Sequence, residues 1–111
     1  MAKPLYQVIA QKAAEWDRYH NLGLVVGATY PGELKLVREI CPDMPILVPG
    51  VGAQGGDLEA VLKAGLDHNK GGIIINSARQ ILYASRSEDY PEAARAAAQA
   101  VRDNINALLP K

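Results

Sequence analysis

The chain has 111 residues, about half of them apolar, with twelve basic and twelve acidic side chains that cancel. That is one ordinary domain's worth of chain, able to bury a core, and a balanced charge argues against nucleic-acid or membrane-surface partners. One cysteine, Cys41, rules out an internal disulfide and leaves a reducing, cytoplasmic setting as the expectation. No apolar run reaches the ~20 residues of a membrane span, and the N-terminus lacks a signal-peptide core.

After Pro4, the apolar residues Leu5, Val8, Ile9, Ala13 and Trp16 recur at helical spacing, predicting an amphipathic helix that ends near 19–21. Leu22 to Gly27 reads as a buried strand. Pro31 suits a first helical turn, and Leu34, Val37 and Ile40 continue a helix that stops before Pro42. Ile46 to Pro49 is the next strand. Asp57 is placed to cap a helix carrying Leu58, Val61 and Leu62, with Gly65 at its end. A third strand, Ile73 to Asn76, precedes a short helical piece over 79–84. Asp89 and Glu92 have capping-box spacing for a last helix expected to bury Ala94, Ala97, Val101, Ile105 and Leu108.

The order is one helix and then strand-plus-helix units about 25 residues apart, the rhythm of parallel β/α architecture with strands buried on both faces. A closed eightfold barrel takes about 250 residues, so three strands predict a partial TIM (β/α)8 barrel with open edges. The expectation is a single domain over 1–111 that either assembles with copies of itself or is completed by another barrel half.

The densest chemical signal is ILVPGVGAQGGD, residues 46–57. Glycines allow positive-φ backbone in which successive amides converge on an anion, and a following helix start adds partial positive charge. Gly50, Gly52 and Gly55 also spell G-x-G-x-x-G. A dinucleotide fold would place an acidic residue about 20 positions on, after the next strand. Here that strand runs into Asn76-Ser77-Ala78-Arg79, and Pro49 and Gln54 are unexplained by that reading. Gln54 could instead cap the following helix, and Arg79 could be an ordinary surface residue. His20, His68 and Cys41 have no partner at catalytic or metal spacing in the sequence.

Three ordered stretches, LGLVVGATYPGEL, ILVPGVGAQGGDLEAVLKAG and GGIIINSARQILYAS, resemble orotidine 5'-phosphate decarboxylase of the bacterial type 2 branch. The first and last helices resemble the same family's flanking segments, so the likeness covers nearly the whole chain. It implies a TIM-barrel enzyme that converts orotidine monophosphate to uridine monophosphate without metal or cofactor, and it places this chain at the C-terminal portion, barrel strands six to eight. It further implies that Gln54 and Arg79 hold the substrate phosphate, assisted by backbone near Gly52 and Ala78, with Pro49 and Gly50 in the substrate pocket. The branch has serine where this chain has Ala78. Its alternating D-x-K-x-x-D motif occurs nowhere here, so no catalytic residue is assigned and the chain alone is expected to be inactive. A different sugar-phosphate decarboxylase or isomerase of the same barrel type is the alternative.

Overall fold

In the computed structural model, residues 2–52 and 57–111 are described, and Gln54 lies outside them. The elements run α1 (Leu5–Trp16), β1 (Leu24–Val25), α2 (Pro31–Ile40), β2 (Ile46–Pro49), α3 (Leu58–Gly65), β3 (Ile73–Asn76), α4 (Arg79–Leu82) and α5 (Tyr90–Leu108). The three strands are parallel in the order β1-β2-β3. Successive right-handed crossovers without a reversal of strand order put every connecting helix on one side of the sheet, the winding of a barrel rather than of an open doubly wound sheet.

Local chemistry sets most boundaries. Pro31 opens α2, whose first turn has no use for the missing N–H. Asp57 caps α3, its carboxylate accepting from the backbone N–H of Glu59 at 2.9 Å and of Ala60 at 3.5 Å. Helix α1 stops at Trp16, short of the expected 19–21. The Asp17 N–H still bonds Ala14, but its side chain takes the Leu22 N–H at 3.0 Å, and His20 adopts a positive φ of 53°. These redirect the chain toward β1. Regular pairing in β1 covers only Leu24 and Val25, although Val26 and Ala28 continue to donate to Leu47 and Pro49 at 2.9 Å.

The core lies between sheet and helices: Ile46, Val48, Val61, Leu34, Val37, Ala10 and Ala13, with Leu24, Ile73 and Ile75 packed against it. The expectation of strands buried on both faces fails. Register puts Val25, Leu47 and Ile74 on the opposite face, where Val25 is 69% and Ile74 60% exposed. No described helix covers that face, so only the helix-facing residues alternate into the core. A Cα radius of gyration of 15.6 Å exceeds the roughly 13 Å of a closed 100-residue domain, as an open wall requires.

Helix α5 also departs from expectation, since none of its residues is buried. Ala94, Ala97, Val101 and Ile105 are half-buried and Leu108 is exposed. Asp89 occupies the position before α5 but makes no capping bond, its carboxylate accepting the Ser85 hydroxyl instead. Among the described residues, no helix is long and apolar enough to cross a membrane.

The end of the sheet remote from the glycine turn is fastened by Arg38, the one buried charged residue among those described. Its guanidinium donates to the carbonyls of Gly65 (2.7 Å), Met44 (2.7 Å), Gly72 (2.9 Å) and Cys41 (3.1 Å). Burial pulls its pKa below the usual arginine value, with Asp67 opposing that shift. A planar fork fixed on α2 thus holds the ends of α2 and α3 and the start of β3 together.

Candidate functional site

Two loops meet at the C-terminal edge of the sheet. The first leaves β2 through Pro49, Gly50, Val51 and Gly52, with Gly50 at φ 89° and Gly52 at φ 92°, conformations that side chains disfavour. Val51 is buried and anchors the turn. Pro49 ties it to the neighbouring strand, its carbonyl accepting from Ala28 at 2.9 Å.

The second loop leaves β3 at Asn76 and passes through Ser77 to Ala78, which precedes the short helix α4 that Arg79 opens. The Ala78 carbonyl accepts from Leu82 at 2.9 Å and Ile81 at 3.2 Å, and Arg79 accepts from Tyr83 at 2.9 Å. The arginine backbone is thereby fixed while its side chain stays exposed. No carboxylate among the described residues pairs with it.

Between these loops lies a hollow of about 160 Å³ lined by Pro49, Gly50, Val51, Asn76, Ser77, Ala78, Arg79 and Gln80. Four residues singled out in the sequence, Pro49, Gly50, Ala78 and Arg79, are brought together here. Gly52 borders an adjoining cavity of about 230 Å³ with Ser77 and Gln80, closed from behind by Val101 and Asn104 of α5. Asn76, Ser77 and Gln80 were not singled out as site residues. Ser77-x-x-Gln80 has the spacing of a capping pair, which is the signal that could have found them. Their contact is side chain to side chain, the Ser77 hydroxyl donating to Gln80 Oε1 at 3.3 Å.

At the start of α3 the Asp57 carboxylate stands in the capping position the sequence suggests and accepts from the N–H groups of Glu59 and Ala60. The positive charge available to an anion comes from the Arg79 guanidinium, and the glycine turn adds polar backbone beside it. Among the described residues, no group of three or more His, Cys, Asp or Glu could hold a metal ion. His68 lies away from the hollow, 3.3 Å from Asp43 on the exposed surface, and Lys63 pairs with Glu59 along α3.

An apolar-walled recess with one unneutralised arginine and a positive-φ turn can hold a compact oxyanion by bidentate and backbone hydrogen bonds. Among the described residues, its lining contains no carboxylate and no lysine. General acid or base chemistry must come from elsewhere.

No protein-family model matches the chain. It is 53% identical over 105 residues to orotidine 5'-phosphate decarboxylase of Ralstonia nicotianae, a match covering 94% of this chain and 39% of that one. The enzyme of the same name from Azoarcus sp. is 56% identical over 104 residues, covering 93% and 38%. Among solved structures, Leishmania donovani UMP synthase superposes with a TM-score of 0.80 at 40% identity, over 97% of this chain and 23% of that one. Leishmania donovani OMP decarboxylase gives 0.78 at 38% identity, over 97% and 40%. The chain thus spans about two fifths of the length of the curated relatives it matches. Its three parallel strands with flanking helices are part of a TIM barrel, and a C-terminal portion fits the coverage.

Proposed function

We propose, for a chain whose sequence and fold belong with the orotidine 5'-phosphate decarboxylases over 94% of its length, that it supplies the phosphate-holding edge of the barrel that turns orotidine monophosphate into uridine monophosphate and carbon dioxide. The observation that carries this reading is the convergence of Arg79 and the Pro49-Gly50 turn on one hollow. Arginine matches a phosphate with two parallel hydrogen bonds, and backbone beside Gly52 and Ala78 adds neutral contacts. Gln54, two residues after Gly52 in the sequence, adds an amide donor in this reading.

A phosphate remote from the scissile carboxylate acts as a handle. Energy gained on it orders the site around the reacting ring and is realised in the transition state. Loss of carbon dioxide leaves a carbanion that must be protonated, and no lysine or acid among the described residues lines the hollow. A complementing barrel half therefore brings the proton donor, docking against the exposed face of Val25 and Ile74.

The test has two parts. Calorimetric titration with uridine monophosphate is expected to show binding that Arg79→Ala reduces about tenfold or more, in line with loss of a charge-assisted pair. Ribulose 5-phosphate is expected to bind more weakly; the opposite order would favour the alternative barrel chemistry. Ultraviolet-monitored decarboxylation should be absent for the chain alone and appear on mixing with the remaining portion of a full-length relative. Turnover by the chain alone would overturn the assignment of the proton donor to another half.

A further inference from the structure

Gln80 reaches from one loop of the hollow to the other. It is the second residue of α4, yet its amide lies against Gly52 across the site. A Cβ built on Gly52 would overlap Gln80 Oε1 and stand only 3.2 Å from its Cδ. The contact exists because Gly52 has no side chain, and Gly52 holds a φ of 92° that favours glycine independently. On its own loop, the same Oε1 accepts the Ser77 hydroxyl at 3.3 Å. Gln80 also borders both cavities at this edge of the sheet.

We propose that Gln80 is a positioning residue: it locks the glycine turn after β2 to the Ser77-Ala78-Arg79 loop after β3, fixing their spacing before an anion arrives. The proposal rests on the phosphate-site reading above for its purpose, and on the loop geometry alone for its existence. Two loops already held at the right separation bind a ligand without an ordering penalty at that moment. The latch needs glycine at 52 and a long side chain that carries Oε1 at 80 together, so each residue's value depends on the other.

The experiment is a double-mutant cycle on the 111-residue chain, with Gln80→Ala, Gly52→Ala and the pair. In the ligand-free chain, Gln80→Ala is expected to speed hydrogen exchange of the Val51 and Gly52 amides about threefold or more, while Gln80→Glu, which keeps Oε1, preserves it. The urea midpoint, read in parallel, should barely move. A role confined to helix α4 would leave amides in the other loop unchanged. For uridine monophosphate, Gln80→Ala should weaken binding about threefold to tenfold, and Gly52→Ala should do more damage with Gln80 present than in the Gln80→Ala background.

Unchanged exchange at Val51 and Gly52 in Gln80→Ala would overturn the latch, as would identical effects of Gly52→Ala in both backgrounds. Absence of uridine monophosphate binding by the unmutated chain would instead sink the phosphate reading, with the exchange data still deciding on the latch.

Discussion

Replacing Arg38 by methionine removes the fastening at the lower end of the sheet while keeping an apolar stem in the core. Five carbonyls lose a donor, that of Pro42 only a long one at 3.5 Å, but two keep another partner: Cys41 still accepts from Met44 and Gly72 from Ile46. Gly65 and Met44 have no second bond among the described residues, and orphaning each buried carbonyl costs about 1–3 kcal/mol. Relief from burying a charge, visible in the lowered arginine pKa, offsets part of this. The net loss is about 2–4 kcal/mol, a large share of the roughly 5–15 kcal/mol that holds a small domain. Urea unfolding followed by circular dichroism should show it as a midpoint drop of about 1–2 M. Arg38→Lys should recover little, because one ammonium cannot span carbonyls on α2, α3 and β3. A loss below about 1 kcal/mol for methionine, or full recovery by lysine, would refute the clamp.

Gly72→Ala places a Cβ 2.5 Å from Asp67 Oδ2 and 3.2 Å from Arg38 Nη2 at a φ of 78°, so a loss of about 2 kcal/mol or more is expected; Gly71→Ala, with open space at its Cβ, is the control that should unfold nearly as the parent does. The Asp67 carboxyl is held below its ordinary pKa first by the Gly71 N–H and then by Asn69 and Arg38. It stabilises the fold above the unfolded carboxyl value of about 4 and loses that effect as pH falls through the lower folded value. Asp67→Asn should therefore flatten the acid limb of a stability-versus-pH curve, and an unchanged limb would remove Asp67 from it. Ile74→Lys, on the exposed face, should alter the unfolding free energy by less than about 1 kcal/mol yet abolish recovered decarboxylation on mixing. Normal recovery would show that the complementing half docks elsewhere.

Where a boundary depends on a residue's own backbone chemistry, it could be read from the sequence. Pro31, Asp57 and Gly65 fixed the limits of α2 and α3, and the Ile46–Pro49 and Ile73–Asn76 strands stand where the apolar runs place them. Errors gathered where the outcome depends on what lies opposite. Apolar periodicity marks α5 and both strand faces as buried, yet periodicity is silent on whether a covering element is present. Leu5, Val8, Ile9 and Trp16 show the same effect on α1, where only Ala10 and Ala13 are buried. The site divides similarly. Arg79 and the glycine turn are visible as residue types after strands, whereas Gln80 matters through a contact with Gly52, 28 positions earlier in the chain. Arg38 escaped notice because arginine is seldom buried, and only the folded chain shows five carbonyls converging on it.

The two faces of the sheet have different consequences for function. Helix-side residues Ile46, Val48 and Val61 are sealed within elements of this chain, and the loops above them are tied locally by Asp57, Ala78 and Gln80. Nothing in that geometry relies on Val25 or Ile74. Those two side chains gain about 1.5–3 kcal/mol each only when something covers them. Anion recognition and carbon chemistry are therefore separable on the proposed reading: the hollow can form and bind with the inner face open, whereas protonation of a carbanion awaits the half that closes it. A chain built this way should bind its ligand before it is complete and react only after.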